Sequence, residues 1–272
     1  MKEGRIPPLK RLGQNFLHDR RVIERILEAL EASEGDFVLE YGCGTGALTR
    51  PLASSPARIV GVEVDRARLR ELRGDEDFRN VEFREEGLEV LDPLSVACEY
   101  GVSSIKLLGN LPYQLTSTAL FHCANGAGVL DRAVLMMQRE VAHRVMASPG
   151  GRDYGILPAL MQARLSVRKV VDASPAAFYP SPKVHSRVLC FRPLETSRVD
   201  DSLWDSYKAL VKALFSERRK QMRSPLKKHY GLDDAGLEEL TKRTGLDFRR
   251  RPETMEVEEL ALLTEKLPEC AS

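Results

Sequence analysis

Residues 37–46 constrain the fold more than any other stretch of the chain. A short apolar run, Phe-Val-Leu, ends at Glu40 and enters Tyr41-Gly42-Cys43-Gly44-Thr45-Gly46, after which an apolar helical pattern begins. Glycines at alternate positions adopt backbone angles closed to other residues and let the main chain approach a ligand that a Cβ would repel. Strand, glycine turn and helix in that order open a β-α-β unit, and the chain repeats the theme. Strand candidates follow at 58–64, 81–84, 105–108 and 133–137, with helix-like stretches at 47–54, 67–73, 117–124 and 139–147. An earlier helix is read from Val22, Ile23, Ile26, Leu27 and Leu30. This alternation predicts an α/β fold with a parallel sheet covered on both faces, and ligands of such sheets sit at the carboxyl ends of the strands.

The pattern changes after about residue 195. Leu203, Tyr207, Leu210, Val211 and Leu214 make one helical stripe, and Leu237, Leu240, Val257, Leu260 and Leu263 suggest further helices without strands between them. Three parts are therefore expected: a basic arm over 1–15 carrying Pro7-Pro8, a ligand-binding domain over 16–195, and a small helical domain over 196–272. With 43% hydrophobic and 30% charged residues among 272, the chain can bury a core and is not a disordered polymer. Five cysteines (43, 98, 123, 190, 270) are an odd, widely spaced set without a CxxC pair, which argues against a disulfide framework or a zinc site. No metal is expected. No apolar stretch reaches the ~18 residues of a membrane span, and the reading is of a reduced, cytoplasmic, monomeric protein.

Two segments carry chemistry. Glu63, in Val-Glu-Val-Asp about 20 residues beyond the glycine turn, stands where a carboxylate accepts hydrogen bonds from both hydroxyls of a ribose. The acidic residue before the turn, Glu40, and the lack of a pyrophosphate-type glycine spacing in the next helix favour S-adenosyl-L-methionine over a dinucleotide. Downstream, a strand ends in Asn110-Leu111-Pro112-Tyr113. An exocyclic amine such as adenine N6 is a poor nucleophile because its lone pair is delocalised into the ring. The Asn110 side-chain oxygen and the Leu111 carbonyl each suit one N–H of such an amine, and Tyr113 offers a stacking face. On these residues alone, solvated strand-end charges and an ordinary turn remain alternative readings.

The order and spacing of six motifs go further: Gly13-Gln-Asn-Phe-Leu17, Glu40-x-Gly-x-Gly-x-Gly46-Ala-Leu-Thr49, Glu63-x-Asp65, Asn110-Leu-Pro-Tyr113, Met137-Gln-Arg-Glu-Val-Ala142 and Phe178-x-Pro-x-Pro-Lys-Val-x-Ser186. From about Lys10 to Arg251 the chain resembles the ribosomal RNA adenine N6,N6-dimethyltransferases, most of all the KsgA type that acts on small-subunit RNA. The resemblance implies a Rossmann-like methyltransferase sheet, a helical C-terminal domain, S-adenosyl-L-methionine as methyl donor, and dimethylation of two adjacent adenines near the 3′ end of the small-subunit RNA during ribosome biogenesis. It implies that Asn15, Leu17, Gly42, Gly44, Glu63 and Asn110 contact the cofactor. Asn110, Leu111 and Pro112 would present the target amine, and Tyr113 and Phe178 would sandwich the flipped adenine. Lys183 and Ser186 would shape the neighbouring loop. Where the family has Gly-Asp-Ala after the third strand, this chain has Glu86-Gly87-Leu88, so Glu86 is the carboxylate left to serve the cofactor beside Gly87. Cys43, Gln114 and His185 also depart from the usual residues.

Total charge, 41 Lys plus Arg against 40 Asp plus Glu, gives no hint of a nucleic-acid partner. Its distribution does: residues 206–231 hold eight Lys and Arg against one acid, Glu217. Arg218, Arg219, Lys220 and Arg223 are the expected phosphate contacts of small-subunit rRNA or an immature small subunit, with Arg249–Arg251 and Lys10 and Arg11 as extensions. The rival expectations are a large-subunit rRNA dimethyltransferase of the antibiotic-resistance type, a non-catalytic RNA- or DNA-binding factor on the same fold, and a small-molecule methyltransferase.

Overall fold

A computed structural model describes residues 7–8 and 13–267. Most of the arm read over 1–15, with Lys10 and Arg11, lies outside them. The chain forms two compact units, one built from residues up to 142 with 167–193, the other from 143–166 with 194 onward. The strands are β1 (Phe16–Leu17), β2 (Phe37–Tyr41), β3 (Arg58–Val62), β4 (Val81–Arg84), β5 (Ile105–Asn110), β6 (Leu130–Gln138), β7 (Leu165–Ala173), β8 (Phe178–Tyr179) and β9 (Ser186–Pro193). The helices are α1 (Arg20–Leu30), α2 (Thr49–Ala53), α3 (Arg66–Gly74), α4 (Pro93–Tyr100), α5 (Thr116–Asn125), α6 (Arg139–Val145), α7 (Ile156–Arg164), α8 (Trp204–Ser216), α9 (Arg223–Tyr230), α10 (Asp234–Thr244) and α11 (Val257–Lys266).

In the first unit a seven-stranded sheet runs β4-β3-β2-β5-β6-β9-β7. The five strands from β4 to β6 are parallel, with Val38 opposite both Ile59 and Lys106. The expectation of a wholly parallel sheet is corrected at one edge, because β9 lies antiparallel to β6, Val134 facing Cys190. β2 is buried along its whole length and β5 nearly so, as central strands covered on both faces must be. Each fully buried Leu, Ile or Val there stabilises by roughly 1.5–3 kcal/mol. Aspartates start the helices on both sides. Asp19 accepts from the backbone N–H of Arg21 and Val22 to cap α1, and Asp65 accepts from Ala67 and Arg68 to cap α3. Asp65 directly follows the strand end that carries Glu63, so the cap also fixes where that carboxylate stands.

The second unit is helical apart from the first residues of β7. α8 buries Tyr207, Leu210, Val211 and Leu214, and the Tyr207 hydroxyl donates to the Ala159 carbonyl on α7 at 3.0 Å. Trp204 stacks on Tyr207 and takes the Arg164 guanidinium 4.2 Å from its ring centroid. Residues 143–166, read from sequence within the ligand-binding domain, group here because α7 packs its apolar side on α8. No helix among the described residues is long and apolar enough to cross a membrane.

Candidate active site

The glycine turn after β2 uses the left-handed region three times, with φ of 75° at Gly42, 55° at Gly44 and 77° at Gly46. It is tied to β3, since the N–H groups of Gly42 and Cys43 both donate to the Val62 carbonyl, at 2.9 and 3.2 Å. A Cβ on Gly44 would stand 3.1 Å from the Phe16 ring, and one on Gly46 2.6 Å from that of Phe78. Glu63 anchors the turn from the other side. Its carboxylate accepts from the N–H of Gly44 at 2.8 Å and from those of Val64 and Asp65 at 2.9 Å each. Three donors leave a carboxylate with acceptor capacity for a ligand hydroxyl.

Glu40 closes the same turn. It is 1% exposed, and its Oε2 has no partner among the described residues. Burial, reinforced by the nearby Glu63 charge, pushes its carboxyl up to about 7. The Cys43 thiol beside it is fully buried and pushed up by that burial, which leaves a packing residue rather than a nucleophile.

At the end of β5, Asn110 lines the cavity, and its Nδ2 donates to the Asn15 carbonyl at 3.3 Å. The Tyr113 hydroxyl lies 3.4 Å from the Ser186 Oγ at the start of β9. Opposite stands a strap, residues 13–18. Gln14 Nε2 donates to Asp65 at 3.1 Å, β1 pairs antiparallel with β8 with Leu17 opposite Phe178, and the His18 N–H donates to the Ala177 carbonyl at 2.9 Å.

These pieces enclose one cavity of about 380 Å³ within the first unit. Every cofactor and target residue read from sequence lines it: Asn15, Leu17, Gly42, Gly44, Glu63, Glu86, Gly87, Asn110, Leu111, Pro112, Tyr113 and Phe178. Glu40 and Ser186 line it too. Glu86 is not a free carboxylate, because its Oε1 accepts from Arg84 Nε at 3.0 Å and Nη2 at 2.7 Å, while Arg84 also reaches Glu99 at 2.7 Å. Sequence reading missed Arg84, the Gln14–Asp65 link and the Asn110–Asn15 bond. All but the first join residues far apart in the chain, and Arg84 looks like any strand-end charge.

Lys183 is exposed on the loop between β8 and β9 and does not line the cavity. The basic run belongs to the second unit, and the expectation that Glu217 alone opposes it is corrected. Lys220 and Lys228 pair with Glu217 at 3.1 Å each, and the hydrogen bond from Ser224 together with these two lysines holds the Glu217 carboxyl down at about 2. Arg223 and Lys227 share Asp234 at 2.7 and 2.8 Å, and Lys208 pairs with Asp205 at 2.7 Å. Arg218 donates to the Arg152 carbonyl, and Arg219 is exposed. Counting charge along the chain overlooks Asp234, which α10 brings back onto the run. Exposed pairs of this kind are weak, since each charge gives up little of its hydration and salt screens it.

Sheet order and cavity together define a Rossmann-like methyltransferase that uses S-adenosyl-L-methionine. The residues present fit that cofactor: a glycine cradle free of Cβ atoms, a carboxylate in Glu63 of a kind that suits hydroxyls, and a buried oxygen on Glu40, without a partner among the described residues, of a kind that suits an ammonium. The chain belongs to the ribosomal RNA adenine dimethylase family, whose model matches residues 9–264. It is 38% identical over 269 residues, 98% of both chains, to the ribosomal RNA small subunit methyltransferase A of Geobacter sulfurreducens. Among solved structures it is similar to a dimethyladenosine transferase from Plasmodium falciparum (TM-score 0.72, 23% identity, 91% of this chain and 95% of that one). It is also similar to the 23S rRNA methyltransferase ErmE (TM-score 0.67, 25% identity, 93% and 99%). The chain is an enzyme, a methyltransferase acting on ribosomal RNA.

Proposed function

We propose that this enzyme dimethylates N6 of two adjacent adenines near the 3′ end of small-subunit rRNA, as a cytoplasmic monomer acting during ribosome biogenesis. The observation that carries the reading is Asn110, whose amide donates to the Asn15 carbonyl and which lines the same cavity as Glu63 and the glycine turn.

The cofactor, when bound, supplies an electrophilic methyl group on a sulfonium. Gly42 and Gly44 would give its methionine part room, Glu40 would hold the ammonium, Glu63 would accept the ribose hydroxyls, and Glu86 and Gly87 would serve the adenine side. Asn15 and Leu17 on the strap would help exclude water from it.

Asn110 Oδ1 and the Leu111 carbonyl accept the two N6–H groups of the target. Holding both N–H bonds out of the ring plane would take the lone pair out of conjugation, pyramidalise the nitrogen and leave it a better nucleophile, a gain in orientation and electrostatics rather than covalent catalysis. Pro112 fixes the turn, and Tyr113 and Phe178 stack on the extruded base, offsetting the cost of unstacking it. The proton released from nitrogen passes to water. Arg218, Arg219, Lys220 and Arg223, with Lys183 at the loop, position the RNA through its phosphates.

Purified protein, labelled S-adenosyl-L-methionine and unmethylated small or large subunits test the reading. Label in adenines of small-subunit RNA supports it. Label confined to large-subunit RNA, or none, refutes it.

A further inference from the structure

Phe178 and Tyr179 are neighbours on a two-residue strand, and successive strand residues face opposite sides. Phe178 is buried and lines the cofactor cavity, whereas Tyr179 is 67% exposed and lines a separate groove of about 930 Å³ on the outer side of the strap. Cavity and groove share walls at Phe16, Leu17, Gly44 and Thr45, so they are consecutive compartments along one surface of the first unit. A large aromatic ring left open to water beside an active site has no packing role to account for it.

The strand that carries the ring is paired. Tyr179 pairs with Phe16 across the β1–β8 ribbon, and Phe16 is backed by the Arg68 guanidinium, 4.7 Å from its centroid and almost fully buried. The groove carries other cations. Arg50 is engaged by Asp75 and Asp77, and Arg68 by Glu71, while Arg70 is exposed and pairs with no carboxylate among the described residues. An aromatic face near a guanidinium that donates to a backbone carbonyl and to no carboxylate among the described residues is the chemistry that holds a single-stranded nucleotide: the base stacks and the cation takes the phosphate.

We propose that Tyr179 and Arg70 form a second nucleotide subsite, which stacks the base next to the target adenine and holds its phosphate while the target occupies the cavity. The inference rests on the proposed RNA substrate and adds to it. Tyr113 and Phe178 face the reacting base; Tyr179 faces its neighbour and touches neither the reacting atoms nor the cofactor. It is therefore a specificity and positioning residue. One strand then separates two stacked bases, and extrusion of the target is assisted by a platform that captures the next base as the stack opens.

The test uses the full chain with S-adenosylhomocysteine and a single-stranded oligoribonucleotide containing two adjacent adenines, one replaced by 2-aminopurine, whose fluorescence falls on stacking. Loss of one base–aromatic contact corresponds to roughly 5- to 150-fold weaker binding. Tyr179→Ala is expected to lose affinity in that range and to lose the quench, Tyr179→Phe to retain both, and Arg70→Ala to bind more weakly with a shallower salt dependence. Cofactor affinity stays unchanged in all three, which a folding defect would not allow. Equal affinity and equal quench in Tyr179→Ala overturn the subsite. Methylation of the unsubstituted oligonucleotide and of small subunits by the wild type separates the two failures: where it proceeds, the proposed function stands and only the subsite falls. Absence of any RNA methylation or binding sinks both.

Discussion

Replacement of Glu40 by Gln tests how the cavity meets its cofactor. The carboxyl sits at about 7 in the folded chain against an ordinary 4.5, because burial disfavours its charge and Glu63 adds to the effect. The sign follows. Below pH 4.5 the group is protonated whether the chain is folded or not, and it has no effect. Between 4.5 and about 7 the unfolded chain ionises and the folded one does not, which withdraws about 3 kcal/mol of stability as pH rises, and the whole of that loss is in place above 7. A cofactor ammonium placed at the unpartnered Oε2 favours the ionised form and expels the proton. At pH 6 the group is ~0.9 protonated, so binding releases about 0.9 proton per cofactor, and affinity falls toward tenfold per pH unit below 7. Calorimetric titrations at pH 6 in buffers of different protonation enthalpy measure that number. Glu40→Gln is expected to release none, to bind the cofactor more weakly, and to be more stable than the wild type in the free form above pH 7. A wild type that releases no proton at pH 6 refutes the pairing of Glu40 with the ammonium.

Other substitutions read other parts of the site. Asn110→Ala removes the acceptor aimed at the target amine and should lower kcat by roughly 100- to 1000-fold, while RNA affinity in a filter-binding assay changes little. Gly46→Ala combines a φ of 77° with a contact of 2.6 Å to Phe78, and a loss of about 2–4 kcal/mol in urea unfolding is expected. Replacing Arg218, Arg219 and Lys220 by Ala should flatten the log–log salt slope of RNA binding by about 2, with cofactor affinity unaltered. An unchanged slope would remove the second unit from the RNA path.

The glycine turn and the carboxylate that anchors it were legible because their signals are local. The turn must follow one strand and the carboxylate must stand at the end of the next, and each demand falls on a short stretch, residues 42–46 and Glu63. What escaped was long-range. β9 joins the sheet antiparallel after a loop already read as motif, and β7 is an edge strand whose Ser166, Arg168, Lys169 and Asp172 blur any apolar pattern. Residues 143–166 read as one more α/β segment, yet α7 buries its apolar side on α8, a partner chosen by packing rather than order. The basic run read as opposed by Glu217 alone because Asp234 reaches it only through the return of α10. Arg84 turns Glu86 into a held carboxylate, and no local pattern announces that pairing.

The central claim is the identity of the methylated atoms. Mass spectrometry of nucleosides from small-subunit RNA, taken from cells lacking this gene and from the same cells carrying the wild type or Asn110→Ala, measures it directly. N6,N6-dimethyladenosine should be absent without the gene, restored at two adjacent adenines near the 3′ end by the wild type, and not restored by Asn110→Ala. Dimethyladenosine that persists in the deletion, or returns fully with Asn110→Ala, would contradict the account.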